Sequence, residues 1–190
     1  MMTNYFFYFV VAIFIGQRLV ELACSRKNER ALLAKGGVEY DSGSLIYMKL
    51  FHTLWFVGLI GESVLLSKVV RPQYILISLP FLVIGQFLRF LSVKALRERW
   101  TIKVIALPGV PSVKDGIYKY MKHPNYLGVV LEIFWLPFMG GAYVTSIVGT
   151  ILNLFLLKRR VKVEEQALSG FDPSYEGRPQ ITFVDRSKAC

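Results

Sequence analysis

Four apolar runs constrain this chain more than any motif in it. The first, YFFYFVVAIFIGQRLVELAC, extends from Tyr5 to Cys24. It has about the 20 residues that a helix needs to cross a hydrocarbon core. The second runs from Leu45 to Ser67 and the third from Gln73 to Val93. The fourth, Leu127 to Leu157, has 31 residues. As one helix it would reach about 46 Å, against a core of about 30 Å. PFMGG, Pro137 to Gly141, lies near its middle, and a proline with paired glycines breaks a helix. The fourth run is therefore expected to be two helices joined by a tight turn. Each half is shorter than a full span. Either the helices extend into polar flanks, from about Pro124 and to about Glu165, or the hairpin does not fully cross.

These runs predict an all-α integral membrane fold of about five transmembrane helices in a single domain. Residues 1–93 hold three N-terminal helices, and residues 94–190 hold a loop, the hairpin and a tail. No Lys or Arg precedes the first run and no small-residue cleavage site follows it, so it is expected to be an uncleaved helix.

Charge sets the orientation. Of 23 Lys and Arg residues, four lie in 25–44, seven in 94–122 and seven in 158–190. All eighteen fall on one side of a five-helix membrane protein, with Lys68 and Arg71 on the other. Basic loops face the cytoplasm, which puts the N-terminus outside and the C-terminus in the cytoplasm. The net charge of +10 is then loop charge facing anionic membrane lipids, and a nucleic-acid partner is not expected. The two cysteines, Cys24 and Cys190, match no metal spacing. Cys190 is the last residue, so it does not fit a prenylation box. Both are read as free thiols, and no metal is expected.

Ionisable groups inside membrane runs are costly and attract functional readings. Arg18 and Glu21 share a helix face as an intrahelical pair. Lys49 can snorkel, and Glu62 falls in the outer interface. His52 is read as satisfied by an interhelical hydrogen bond. Gln86 and Arg89 share a face, with Arg89 near the cytoplasmic headgroups.

The stretch KHPNYLG, Lys122 to Gly128, opens the fourth run. Proline is favoured at the first position of a helix, so Pro124 starts one and His123 stands near its cap. A helix start presents free amides and a positive dipole end, a site for a ligand carboxylate. Gly128 lets a ligand or another helix approach closely. After the fifth helix comes RVKVEE, where Arg160 and Glu164 share a face and Glu165 is adjacent. By itself this is a solvated helix end. The hairpin changes that reading, because its turn brings both ends together. His123, Tyr126, Arg160, Glu164 and Glu165 should form one polar cluster at the membrane surface. Between the third helix and HPNY, the VIAL and SVKDGIY pieces suggest a short cytoplasmic excursion that covers the cluster.

This pattern resembles the isoprenylcysteine carboxyl methyltransferase family of integral membrane enzymes. The residues that carry the resemblance are RWTIKV (Arg99 to Val104), KDGIYKYMKHPNYLGVVLE (Lys114 to Glu132) and RVKVEEQAL (Arg160 to Leu168). Lys122 departs from it, since the family commonly has arginine before HP; the charge is kept and bidentate geometry is lost. In the N-terminal half, QRLVELACSRKNERALLAKGGVEY and HTLWFVGLIGE resemble a bacterial branch that often accompanies type III polyketide synthases.

The resemblance implies S-adenosylmethionine as methyl donor. It implies that His123, Pro124, Tyr126 and Leu127 line the cofactor pocket, and that Glu164 or Glu165 meets the cofactor amine. Arg160 would position an anionic acceptor. The acceptor would be a prenylated cysteine or a small lipidic carboxylate, enol or phenol of the alkylpyrone or alkylresorcinol type. A phenol, unlike a carboxylate, would need a base, for which Glu132 and His52 are available. The location implied is a bacterial cell membrane, with the site facing the cytoplasm. Two rival readings are a membrane NADPH-dependent reductase of the sterol-reductase type and a non-enzymatic scaffold or transporter subunit.

Overall fold

The computed structural model describes residues 2–40, 43–65 and 70–172. The end of the second run at Ser67, Lys68, and the tail with Arg178, Arg186, Lys188 and Cys190 lie outside the described residues.

Five α-helices carry the apolar runs: α1 (Met2–Ala34), α2 (Ser44–Leu65), α3 (Pro72–Leu96), α4 (Pro124–Met139) and α5 (Tyr143–Ser169). The first three are long and apolar enough to cross a membrane. Large apolar side chains stay exposed on their outer faces, among them Phe9, Ile13, Val57, Val83 and Phe87. Apolar surface of this extent fits a lipid environment rather than water. The chain is a largely helical membrane protein.

α1 is longer than its apolar run. It continues through SRKNERALLA to Ala34, giving 33 residues and a length of about 50 Å. The stretch expected to be a loop contains no breaker before Gly36, which takes a left-handed φ of 83° and ends the helix. Its polar residues grip the chain that follows α3. Ser25 Oγ accepts from the Ile102 amide at 2.8 Å, and Asn28 Nδ2 donates to the Trp100 carbonyl at 2.8 Å.

The fold is also not wholly helical. β1 (Val38–Tyr40) and β2 (Val104–Ala106) form an antiparallel pair with Glu39 opposite Ile105. Val104 and Ala106 turn inward against Ala167 of α5, with Tyr40, Val163 and Phe171 around them. The VIA of the excursion is thus a strand, whereas Gly116–Lys119 forms a single helical turn packed on α3.

Small residues bring the helices together. The buried face of α3 is Ser78, Leu82, Gly85, Arg89 and Ser92, spaced three and four apart on one stripe. Small residues on such stripes let membrane helices approach closely. α3 and α4 cross where Gly85 meets Gly128, and a Cβ on Gly128 would stand 2.6 Å from the Gly85 carbonyl oxygen. The clearance at Gly128 therefore serves a helix, not a ligand. On α5, Gly149 receives the Trp55 ring, and the Trp55 indole donates to the Ile133 carbonyl at 3.2 Å.

The α4–α5 turn forms as the PFMGG sequence requires. The Pro137 carbonyl accepts from the Gly140 and Ala142 amides at 3.0 and 2.9 Å. Gly141 takes φ 75°, a conformation cheap only for glycine. Glu62, expected at the outer interface, accepts from the Val144 and Thr145 amides at 3.1 and 2.8 Å. It caps the exposed N-terminus of α5 from a neighbouring helix.

Candidate functional site

The hairpin sets the geometry of the cluster. Pro124 begins α4, so His123 stands just outside the helix and Tyr126 lies in its first turn. Arg160, Glu164 and Glu165 lie in the last three turns of α5. The Tyr126 hydroxyl donates to Glu164 and accepts the Arg160 Nε–H at 2.9 Å. Arg160 Nη2 donates to the Ile102 carbonyl. The His123 and Tyr126 rings stack with centroids 5.4 Å apart, and His123 Nε2 lies 3.3 Å from Glu165 Oε1. The structure brings together all five residues expected in the cluster. It adds a backbone carbonyl from the RWTIKV stretch.

The cluster opens into a cavity of about 510 Å³. His123, Asn125, Tyr126, Arg160 and Glu164 line one side. Ile15, Leu19 and Leu22 of α1, with Met48 and Phe56 of α2, form a facing wall in which Arg18, Glu21, Lys49 and His52 also stand, and residues 99–107 and 110 contribute the cover. Tyr118 also faces the cavity; burial raises the pKa of its hydroxyl, the Glu164 charge adds to this, and a hydrogen bond with Ser92 opposes it. Two buried polar atoms at the start of α4, His123 Nδ1 and Asn125 Oδ1, have no hydrogen-bond partner among the described residues. Buried polar atoms are ordinarily satisfied, so these two mark places for a ligand.

Four of the expected site residues are not on the cavity wall. Pro124 is buried under the first turn of α4, and Leu127 is half-buried beside it. Glu165 stands behind His123, and Glu132 lies deeper, 1% exposed. The Glu132 carboxylate is held by Arg18 Nη2 at 2.8 Å, Gln86 Nε2 at 3.4 Å and Arg89 Nη1 at 3.5 Å. Glu21 meets Arg18 Nη1 at 2.9 Å and also accepts from Arg89.

The Arg18–Glu21 pair is thus half of a network of two cations and two carboxylates joining α1, α3 and α4. Arg89 is 2% exposed within it rather than at the headgroups. Buried charges persist where they are mutually paired. Glu132 is occupied in this way and does not meet the cavity, which argues against a base role, since a base must reach the proton it removes. His52 is satisfied within its own helix, with Nδ1 at 2.8 Å from the Met48 carbonyl oxygen.

The α1 and α2 wall was not legible in advance. The available signal was the polar set Gln17, Arg18 and Glu21, one face of α1 that needs partners inside the membrane.

The isoprenylcysteine carboxyl methyltransferase (ICMT) family model matches residues 76–170, from within α3 through the end of α5. Among curated proteins, the "Uncharacterized protein YpbQ" of Bacillus subtilis is 36% identical over 87% of this chain and 98% of its own length. An uncharacterized protein of Haemophilus influenzae is 30% identical over 85% of this chain and 94% of its own. The protein-S-isoprenylcysteine O-methyltransferase of Schizosaccharomyces pombe is 28% identical over 52% of this chain and 43% of its own. No solved structure matches the chain.

Proposed function

The chain belongs to the isoprenylcysteine carboxyl methyltransferase family, and from that premise we propose that it transfers a methyl group from S-adenosylmethionine to an oxygen of a lipophilic acceptor. The observation that carries this reading is the position of the His123–Tyr126–Arg160–Glu164 cluster. It lines one end of a cavity whose other wall is built from two membrane helices and presents apolar side chains beside Arg18, Glu21, Lys49 and His52.

The residues present fit the cofactor. A cavity of about 510 Å³ falls within the ordinary range for small-molecule sites, about 300–1,000 Å³. Glu164 offers a carboxylate to the cofactor amine, and Glu165 orients His123. The unpartnered His123 Nδ1 and Asn125 Oδ1 offer hydrogen bonds to its polar groups, and the open end of α4 suits its carboxylate. When bound, S-adenosylmethionine supplies an electrophilic methyl group. Arg160, fixed by Tyr126 and Ile102, holds positive charge that would position the anionic acceptor oxygen for attack. The apolar wall holds the acceptor's tail. Catalysis is then mainly positioning and preorganised charge.

The acceptor is a lipidic carboxylate, enol or phenol, with products of a type III polyketide synthase as candidates beside prenylcysteine. α5 supports a five-span arrangement, because Val144, Ile147, Val148, Ile151 and Phe155 form an exposed apolar face on its first half. In that arrangement the cavity faces the cytoplasm of a bacterial cell, where the donor is made.

Labelled S-adenosylmethionine, incubated with the protein in membranes and either a prenylcysteine or an alkylpyrone, tests the reading. Transfer of label to the lipid supports it. A thermal shift with NADPH and none with S-adenosylmethionine would reject it.

A further inference from the structure

We propose that His52 sets the acceptor specificity of the site. Its Nε2 is a fixed hydrogen-bond acceptor, about one helical turn below Arg160, that takes the hydrogen of a second hydroxyl on the acceptor headgroup, one that is not itself methylated. This rests on the methyl-transfer reading and narrows its substrate class to headgroups carrying two oxygens.

The ring is oriented by its own helix. It lines the cavity from α2 and is half-buried. Its Nδ1 lies 2.8 Å from the Met48 carbonyl oxygen. A carbonyl only accepts, so Nδ1 carries the hydrogen and the neutral ring has its lone pair on Nε2. The Phe51 ring packs edge-on against it, with centroids 5.2 Å apart. Arg18, Glu21 and Arg89 act on the ring, and Lys49 stands one turn before it. A neutral hydrogen-bond acceptor suits a place shared with three cations and one carboxylate.

Nε2 has no hydrogen-bond partner among the described residues, and it is not among the buried atoms closed off from water. The neighbouring acceptors are in use. Glu21 takes hydrogens from Arg18, Arg89 and Gln17. Thr53 turns its hydroxyl to the Lys49 carbonyl at 3.0 Å. A polar atom facing a cavity inside a membrane segment is costly unless something pairs with it.

Two registers place the ring in depth. Met48 and Arg160 line one small cleft at the seam of α2 and α5, so they share a level. His52 is the next turn of α2, about 6 Å further in. Independently, the Trp55 indole meets the Ile133 carbonyl at 3.2 Å. Counting back from that contact to His52 on α2 and to Tyr126 on α4 leaves a difference of four residues, again about 6 Å. With the methylated oxygen held at Arg160, an oxygen across the same small ring falls at the level of His52. Ile15 and Phe56, which offer apolar contact to a chain, stand about one turn deeper. A hydrocarbon beginning directly under Arg160 would press on Nε2 and leave it unpaired. A ring with a second hydroxyl pairs Nε2 and hands its chain on to Ile15 and Phe56.

The test uses the full-length protein in detergent and two probes that differ by one hydroxyl. They are a 1,3-dihydroxybenzene with a long 5-alkyl chain and the matching 3-alkylphenol. Equilibrium binding is measured without cofactor and corrected for partition into empty micelles. Wild type should hold the diol about tenfold more tightly than the phenol. His52→Leu should bring that ratio close to one, by weakening the diol while the phenol binds at least as well as before. His52→Gln, whose side-chain carbonyl also accepts, should keep part of the preference. In methyl transfer, the same change should appear in KM for the diol rather than in kcat.

Equal wild-type affinities for the two probes would overturn the proposal, as would a preference that survives His52→Leu. Equal weakening of both probes in His52→Leu would make His52 a packing residue and overturn it too. If wild type neither binds S-adenosylmethionine nor methylates either probe, the methyl-transfer reading itself falls, whatever the binding ratio shows.

Discussion

Arg160 donates its Nε–H to the hydroxyl of Tyr126 at 2.9 Å, and that hydroxyl passes its own hydrogen to Glu164. A single phenol therefore spaces an arginine and a glutamate that sit one turn apart on α5. Tyr126→Phe keeps the ring stacked on His123 and deletes only the oxygen. Two charged groups then lose a hydrogen bond, each worth about 1.5–3 kcal/mol. The melting temperature without cofactor should fall, because both bonds are made within the protein, and with Arg160 and Glu164 no longer spaced, affinity for S-adenosylmethionine should fall at least about tenfold, as measured by calorimetric titration.

The crossing of α3 and α4 leaves no room for a methyl group. A Cβ on Gly128 would stand 2.6 Å from Gly85 O and 2.7 Å from Arg89 Cγ, whereas nothing lies within 4 Å of one on Gly16. Gly128→Ala should cost about 1–3 kcal/mol through overpacking. Gly16→Ala should be neutral or slightly stabilising, because alanine is the better helix former. Melting curves of the two variants in one detergent check this contrast, and equal behaviour would contradict the packing described.

Glu132 separates structural from catalytic charge. Its carboxylate answers Arg18 and Arg89 inside the bundle. Glu132→Gln leaves a net positive charge there, and breaking a buried pair costs about 3–5 kcal/mol. Stability should collapse in Glu132→Gln and recover in part when Arg18→Gln is added, since the double variant restores neutrality. A well-folded Glu132→Gln protein that lost only turnover would instead make Glu132 a base.

The hairpin and its cluster were readable because they depend on local rules. Proline at Pro124 starts a helix, PFMGG ends it, and two antiparallel helices must bring their outer ends together. The cavity's second wall follows no such rule. Nothing local says that Arg18 reaches Glu132, 114 positions along the chain, or that Ser25 holds the amide of Ile102. The helical extension of α1 past Cys24 was obscured for a related reason. SRKNER is polar, and hydropathy ends a span where helix propensity does not end a helix. The β1–β2 pair is three residues long on each side and depends on contacts with α5 that the chain order does not reveal.

Alkaline pH should loosen the cover of the site before it loosens the bundle. Lys103 bonds Glu39 at 2.8 Å beside the β1–β2 pair, and that hydrogen bond raises its pKa above the ordinary 10.5. Burial raises the Tyr118 pKa above the ordinary 10.0. Both groups hold their proton more tightly folded than unfolded. Their contribution is complete below those ordinary values. It is lost as pH rises through the folded pKa values, because the unfolded chain then binds fewer protons. Lys103 and Glu39 both keep contact with solvent, so the share of Lys103 is small, and most of the slope should belong to Tyr118. Melting temperatures from about pH 9 to about pH 12 should fall in wild type and fall less steeply in Tyr118→Phe. That variant starts lower at pH 9, because its hydrogen bond with Ser92 is gone. Parallel slopes in the two proteins would show that Tyr118 is not the group whose proton the fold retains.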